Sequence, residues 1–238
     1  MLSLFPRSAS ANNKNPNLVP LGENESFLGN AGVGRANDSG AVYYNPSGLA
    51  ELPTGRVSVS GAVYTSVSEH YDAFLTLDNT QIPLDASAFV TIPSAYAATR
   101  RFGDWVGAFS VLVPDSIEFD DHVVIATPAH QGNITYFARE SELWLGLSLA
   151  RKLGERWSVG ATVFGINHSA KTILGLDFQS VAMPMQVTTS VARESLSTWA
   201  LSATLGVTYL AADWIRFGLR AQTASIQFAG SVDSFRGS

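Results

Sequence analysis

The sequence of 238 residues contains no cysteine. This excludes a disulfide framework, a cysteine zinc site and a thiol nucleophile. Charged residues are also scarce, at 15%, against about 25% in soluble domains. Lys and Arg together number 15 and Asp and Glu 20, which gives a formal net charge of −5. A nucleic-acid-binding protein needs a basic face, so this balance argues against one.

Long apolar runs are missing as well. The longest stretch without a charged residue spans 195–212, which is at the lower limit of the ~20 residues that a membrane-spanning helix needs. Polar residues recur along this stretch and Gly206 interrupts it. A helix would carry those polar side chains all round, whereas a strand would place them on one face.

A period of two dominates the sequence from Arg56 onward, and this alternation predicts β-strands. Near the C-terminus, for example, Leu201 and Leu205 fall on one face and Ser202 and Thr204 on the other. Seven strands are predicted in all, at roughly 56–66, 86–101, 104–113, 137–152, 156–170, 196–210 and 213–227.

Short and long connections alternate between these strands. Short turns are predicted at 102–104, 153–155 and 211–213, and long loops at 67–85, 114–136 and 171–195. Aromatic and basic residues gather near the short turns, namely Arg100, Arg101, Phe102, Trp105, Trp157 and Trp214. Long strands, asymmetric connections and an aromatic girdle are typical of outer-membrane barrels. The sequence therefore predicts an all-β fold, with a transmembrane antiparallel β-barrel over 56–238.

A soluble β-sandwich, with the apolar faces as its core, is the alternative fold. The polar faces argue against it, because they carry small Ser, Thr and Gly residues rather than the Lys and Glu of a solvated face. In a barrel, these polar faces would line a lumen and the apolar faces would contact lipid.

The first 55 residues have a different character and form a separate segment. Gly29, Gly32 and Gly34 do not match the dinucleotide-binding glycine pattern and follow no predicted strand, so a nucleotide site is not expected. Small residues at this density suit backbone that packs closely against other backbone. Asn45-Pro46 predicts a turn.

This segment resembles the N-terminal hatch of the FadL family, outer-membrane transporters of long-chain fatty acids and other hydrophobic compounds. The resemblance is carried by a Gly-Arg-Ala block at 32–36 and by Ala-Val-Tyr-Tyr-Asn-Pro-Ser-Gly-Leu-Ala at 41–50. The matching residues are Gly32, Gly34, Arg35, Asp38, Asn45, Pro46, Gly48 and Leu49, whereas Ser47 replaces the commoner Ala. Segments of the predicted hairpins also lie where hairpins of the family would.

The resemblance implies a fourteen-stranded barrel plugged by the hatch, which corresponds to residues 1–55. It implies passive uptake without a cofactor, and sideways release into the membrane through a gap at a kink in the third strand. Candidates for the kink are Pro93, Gly107 and Pro114, since Gly weakens a strand and Pro lacks a donor. The localisation implied is the outer membrane of a Gram-negative bacterium.

Candidate ligand residues are large or basic side chains on inward faces: Tyr64, Phe89, Trp144, Phe164, Arg216 and Arg220. Large apolar groups in a lumen favour hydrophobic ligands, although they would equally suit packing on the hatch. Arg216 and Arg220 share one face, where they either attract a carboxylate or pair with acids of the lumen or hatch.

Seven predicted strands are half of fourteen, so we expect the chain to be the N-terminal portion of a longer transporter or a gene fragment. A complete small barrel, closed by an eighth strand from 173–193, is the alternative. Expected partners are a hydrophobic small molecule, the lipid bilayer and lipopolysaccharide, with no nucleic acid, and a monomer is expected.

No catalytic residue, metal site or cofactor is predicted. The four histidines, His70, His122, His130 and His168, are isolated from one another and lack metal-ligand spacing. The acids Asp115, Glu118, Asp120 and Asp121 predict a solvated loop, with a calcium or lipopolysaccharide-bridging site as the alternative. The second functional hypothesis is a structural or adhesive outer-membrane barrel that displays its loops and transports nothing.

Overall fold

In a computed structural model, β-strands make up most of the protein. The structure describes residues 33–34, 38, 40–53, 55–77, 80–127, 129–182 and 187–237. The strands within these ranges are β1 (Val57–Leu77), β2 (Thr80–Phe102), β3 (Trp105–Ala126), β4 (His130–Leu153), β5 (Trp157–Ser180), β6 (Val187–Ala212), β7 (Ile215–Gln222) and β8 (Ile226–Gly237). No helix in the described ranges is long and apolar enough to cross a membrane.

Two short helices precede the strands. The α-helix α1 spans Ala41–Tyr44, and a 3-10 helix spans Pro46–Glu51. Asn45 separates them, and its side chain accepts a hydrogen bond from the Ser47 N–H. Pro46 stands at the first helical position, where a missing N–H costs nothing. The turn predicted at Asn45-Pro46 is confirmed, but the helices were not predicted because elements of this length show no periodic pattern.

All the described strands belong to one antiparallel sheet, in which β1 to β7 follow one another in chain order. Strand β7 pairs with the end of β6, from Thr204 to Ala212, and β8 pairs with an earlier part, from Val191 to Leu201. The predicted seventh strand is therefore confirmed in position, but it is interrupted at 223–225 and continues to Gly237. An antiparallel all-β fold is confirmed, although the described strands form no closed barrel.

The strands are much longer than predicted. The long loops predicted at 67–85, 114–136 and 171–195 are wrong, because most of their residues continue the flanking strands. Ladder pairing runs as far as Ala126 with Gln131. These segments are polar on both faces in places, so the alternation is weak there, while backbone hydrogen bonds need no apolar face. The alternative of a small barrel closed by an eighth strand from 173–193 is also wrong, because the described residues of this range belong mainly to β5 and β6.

The short turns are confirmed. Gly103 and Gly154 adopt positive φ values of 60° and 71° between their strands, a conformation that a β-carbon disfavours. The third turn lies at Asp213 and Trp214, between β6 and β7.

The two faces of the sheet reverse the pattern of a soluble protein. Large apolar side chains on one face are exposed, including Leu147 at 68% and Leu219 at 70%. Small polar side chains on the other face are buried, including Thr162 and Thr204 at 0%. The β-sandwich alternative is wrong for the described residues, because they form a single sheet and the apolar rows are not a core.

Candidate functional site

Residues 40–53, termed the docked segment, lie against the buried face of the sheet, where the 3-10 helix contacts β3, β4, β5 and β6. The strands approach it closely at two glycines that are cross-strand partners, Gly160 and Gly206. A β-carbon at Gly160 would come closer than 3.0 Å to the Pro46 backbone, and one at Gly206 closer than 3.0 Å to Asn45 Oδ1. The segment therefore sits in a groove that only residues without a side chain permit.

Polar side chains of the sheet bind the docked segment. The Asn45 amide donates a hydrogen bond of 3.2 Å to Thr208 Oγ1, and the Ser47 hydroxyl lies 2.6 Å from the same oxygen. The Thr162 hydroxyl donates to the Val42 carbonyl at 3.0 Å. Buried polar groups are costly unless they are paired, so Thr162 and Thr208 of the sheet and these groups of the docked segment satisfy one another.

Two arginines hold the edges of the docked segment. Arg216 on β7 forms an ion pair of 2.8 Å with Glu51, and both side chains are partly buried. Arg101 on β2 donates to the carbonyl oxygens of Ala50 and Leu52, at 3.4 and 3.3 Å. The segment is thus attached to strands that lie on opposite sides of it.

Aromatic side chains cluster around Tyr43, near the C-terminal end of α1. The Tyr43 ring centroid lies 5.6 Å from that of Trp144, which in turn lies 5.2 Å from Phe164. The Arg220 guanidinium stands 5.0 Å above the Tyr43 ring, a cation–π geometry. Trp144 Nε1 donates to Glu142 at 3.0 Å. These residues, Tyr43, Glu142, Trp144, Phe164 and Arg220, are termed the aromatic cluster.

The structure brings four of the six predicted ligand residues to the docked segment. Trp144, Phe164 and Arg220 belong to the aromatic cluster, and Arg216 binds Glu51. Phe164 is fully buried, so it serves as packing beneath Trp144. Tyr64 and Phe89 lie in β1 and β2, and their side chains lie outside the described residues.

The predicted hatch motif falls partly within the described residues. Asp38 accepts a hydrogen bond of 2.8 Å from the Gly40 N–H. Pro46, Gly48 and Leu49 are buried in the 3-10 helix. A β-carbon on Gly34 would lie 3.9 Å from a carbonyl of β7, an ordinary contact. Gly32 and Arg35 lie outside the described residues.

A histidine between two carboxylates was missed by sequence reasoning. His168 Nδ1 lies 3.5 Å from Glu142, and its Nε2 lies 3.9 Å from Glu140. His168 and Glu142 are directly opposite each other on β5 and β4. Only the strand register brings them together, since no short motif joins residues this far apart in sequence. The described residues contain no group that could hold a metal ion.

The ladder between β2 and β3 ends halfway along the strands. Its last pair is Ala95 with Leu112. Pro93 and Pro114 each lie two residues beyond this pair on their own strands, and neither has an N–H to donate. In β3, the pairing with β4 also shifts between Leu112 and Asp115, as in a β-bulge. We term this unpaired boundary between β2 and β3 the seam.

Of the kink candidates, the seam involves Pro93 and Pro114 but not Gly107. Gly107 pairs regularly with Arg100 on β2 and with Leu149 on β4, without a shift in register. Gly107 therefore has no part in the seam. A glycine weakens a ladder but keeps its N–H donor, whereas a proline loses it.

Beyond the seam, the β1–β2 hairpin folds toward the inner face. Near the base of β2, Ala95 and Ala97 are buried, but toward the tip the buried residues are Ile82 and Leu84, on the opposite face of the strand. The register with β1 is continuous from Val57 to Tyr71, so no bulge causes this change. The side of the hairpin that carries Ile82 and Leu84 would face outward in a flat sheet, and it is buried because the hairpin folds inward across the sheet.

The tip of this hairpin packs on an apolar patch of β3 to β6. Ile82 joins a cluster made of Ile125, Ile134, Leu174, Leu176 and Ala192. The Phe74 ring centroid lies 5.7 Å from that of Tyr136. The inner face is therefore apolar at this end, whereas it is polar and small beneath the docked segment.

His70 near the tip of the hairpin is exposed and lies between two acids. Its ring nitrogens contact Asp85, its cross-strand partner, and Asp72, at 2.9 Å for the latter. These carboxylates raise the pKa of His70 above its usual value of 6.5, with the hydrogen bond to Asp85 as the main cause. A raised pKa stabilises the hairpin at low pH, and this contribution is lost as the pH rises through the pKa of the folded state.

The geometry thus comprises an inside-out sheet, a segment docked on its polar face and a seam in the ladder. Comparison of the chain with known protein families, characterised proteins and solved structures found no match.

Proposed function

We propose that the protein takes up hydrophobic small molecules passively across a bacterial outer membrane, in the manner of the FadL family that its sequence resembles. In this proposal the sheet forms part of the wall of a β-barrel, and the docked segment is the hatch. Ligands would be long-chain fatty acids or aromatic hydrocarbons, and they would leave sideways through the seam.

A membrane position is supported by the exposed apolar face and by the aromatic side chains at the short turns. Trp157 stacks with Tyr209 at 4.5 Å, and Arg151 lies 5.5 Å from the Trp105 ring. Trp214 is 84% exposed. Aromatic rings with an adjacent cation suit the interface between hydrocarbon and water, and the uncharged rows between the strand ends suit the hydrocarbon itself.

The single observation that carries the transport proposal is the seam. It begins where the docked segment ends and extends alongside the apolar patch of the inner face. A hydrophobic ligand would gain about 25 cal/mol for each Å² of apolar surface that it buries there. In the proposed barrel, the docked segment would block the direct path past the short turns, and this favours a sideways exit through the seam.

The experiment is a binding titration of the full chain in detergent with a fluorescent long-chain fatty acid. We expect saturable binding, and we expect Trp144→Ala to weaken it about tenfold, which corresponds to about 1.4 kcal/mol. Trp214→Ala is the matched control, because it removes the same side chain at the exposed turn, and it should bind like the wild type. Equal effects of both substitutions would contradict the site.

The absence of saturable binding to any fatty acid or aromatic hydrocarbon would favour the second hypothesis, a barrel that only displays its outer hairpins. Binding of water-soluble sugars instead would contradict both the apolar ligand and the seam as an exit.

A further inference from the structure

Three cations mark the end of the apolar rows on the outward face of the sheet. The outward residues of β5 between Trp157 and Lys171 are uncharged, as are those of β4 between Arg151 and Arg139. On β6, the first outward charge beyond Tyr209 is Arg193. The three middle strands thus carry their first charge at nearly the same level, and each of these charges is positive.

The strand register places these cations side by side. Arg139 and Lys171 are direct cross-strand partners, and Arg193 is the partner of Ile173, one step further along the same face. Like charges directly opposite one another destabilise a sheet. We term Arg139, Lys171 and Arg193 the basic row.

The protein itself supplies little compensation for this repulsion. Arg139 has a partner in Glu118, at 3.6 Å, but more than half of each side chain is exposed. Lys171 Nζ lies 5.6 Å from the Phe137 ring. Elsewhere in the part of the chain that the structure describes, no carboxylate oxygen lies within 4.0 Å of Lys171 or Arg193. The arrangement is therefore suited to an anion from outside the protein.

The height of the basic row above the short turns indicates the kind of anion that it would meet. Lys171 follows Trp157 by fourteen positions in β5, which is about 46 Å along a strand at about 3.3 Å per residue. With the tilt of about 40° found in membrane barrels, this corresponds to a height of about 35 Å. The hydrocarbon layer is about 30 Å thick, so the row lies at the level of the far headgroups when Trp157 lies at the near interface.

We propose that the basic row binds the phosphate groups of a lipid headgroup in the outer leaflet. This rests on the membrane position in the proposed function. Two guanidinium groups offer paired N–H donors that match phosphate oxygens, and the ammonium between them adds a compact charge. Acids stand on both sides, with Glu118 and Asp120 on β3 and Asp233 on β8. They confine the site to the three middle strands.

The test measures binding of fluorescent diphosphoryl lipid A to the full chain in a neutral detergent at two salt concentrations. In the variant R139Q/K171Q/R193Q, we expect affinity to fall at least tenfold and most of the salt dependence to disappear. The control variant R100Q/K152Q/R156Q removes the same charge from exposed positions near the short turns, and it should bind like the wild type.

Three results would overturn the proposal. Wild-type affinity in the basic-row variant would do so, as would an equal loss in the control variant, which would indicate a general effect of net charge. Competition by millimolar inorganic phosphate would show a site for the free anion rather than for a lipid.

Insertion into phosphatidylcholine vesicles, followed by flotation, tests the membrane position separately from the lipid-binding site. The basic-row variant should insert like the wild type and bind fatty acid normally, which supports a site for a lipid headgroup alone. If the wild-type chain inserts but does not bind lipid A, the lipid-binding site at the basic row is overturned and the membrane position is not. A chain that fails to insert overturns both.

Discussion

At the scale of single residues, the docked segment depends on positions of the sheet where a side chain is missing. Gly160 and Gly206 face each other across β5 and β6, and the Asn45 side chain, Pro46 and the Ser47 nitrogen occupy the space that their side chains would fill. Next to them, the Thr208 hydroxyl binds both Asn45 and Ser47. Close approach and hydrogen bonding therefore occur at the same place, so a single added methyl group there should weaken the binding of the docked segment to the sheet.

Gly206→Ala should loosen the docked segment. Its β-carbon would come closer than 3.0 Å to Asn45 Oδ1 and to Pro46 Cδ, both of which are held in place. Overpacking of this kind costs about 1–3 kcal/mol, and limited proteolysis within residues 40–53 should accelerate accordingly. Gly165→Ala is the control, because a β-carbon there meets only one atom, at 4.0 Å. Equal cleavage rates in both variants would show that the segment is not held at Gly206.

At the scale of elements, the seam divides the sheet into two parts with different neighbours. Between the seam and the short turn at Gly103, β2 pairs with β3 in a regular ladder from Phe102 to Ala95. On the far side of the seam, the β1–β2 hairpin leaves the plane of the sheet and packs the opposite face of β2 on the apolar patch. A proline follows the last pair by two residues on each strand, and neither Pro93 nor Pro114 can donate a hydrogen bond to continue the ladder.

A disulfide across the seam should slow release of ligand. Cysteines at Ser94 and Val113, next to the last pair of the ladder, would join β2 to β3, and the chain has no other cysteine to interfere. We expect the oxidised S94C/V113C variant to bind fatty acid normally but to transfer it into vesicle bilayers about tenfold more slowly, with recovery on reduction.

The control disulfide lies in the intact part of the same ladder, where Ala98 and Phe109 are partners. Oxidised A98C/F109C should transfer fatty acid at the wild-type rate. Wild-type transfer through the oxidised S94C/V113C variant would show that the seam is not the exit.

At the scale of the whole molecule, burial is the reverse of that in a soluble domain. Rows of Leu and Val are exposed on one face, and small hydroxyl side chains are buried with the docked segment on the other. In the proposed membrane position, the exposed face would meet lipid rather than water, in which apolar surface is unfavourable. Lipid around the outward face would then contribute to the stability of the fold.

Leu205→Arg tests this directly. Leu205 is 59% exposed within the apolar rows, and arginine deep in a bilayer costs about 2–4 kcal/mol. We expect the free energy of unfolding in vesicles, measured by urea titration, to fall by that amount. Val187→Arg, beyond the basic row and 63% exposed, should cost only about 0–1 kcal/mol. If the Leu205 variant changed by less than about 0.5 kcal/mol, as exposed sites in water do, the outward face would not be in lipid.

The sequence alone determined the local features of this protein. Alternation such as that of Leu201 and Thr204 predicted which side chains would be exposed and which buried, because successive residues of a strand point to opposite faces. The turns at Gly103 and Gly154 were predicted from local composition, as was the turn at Asn45-Pro46. Each of these depends on neighbours in the chain, so each leaves a trace in a short stretch of sequence.

Only the tertiary structure decided which distant residues meet. The true length of β3 to β6, the pairing of Arg139 with Lys171, and the approach of His168 to Glu142 all follow from strand register. The seam likewise involves two prolines far apart in sequence, each of which lies two residues beyond the last pair of the ladder. Register is set by the sum of many backbone hydrogen bonds and side-chain contacts between strands, and no single strand contains that information.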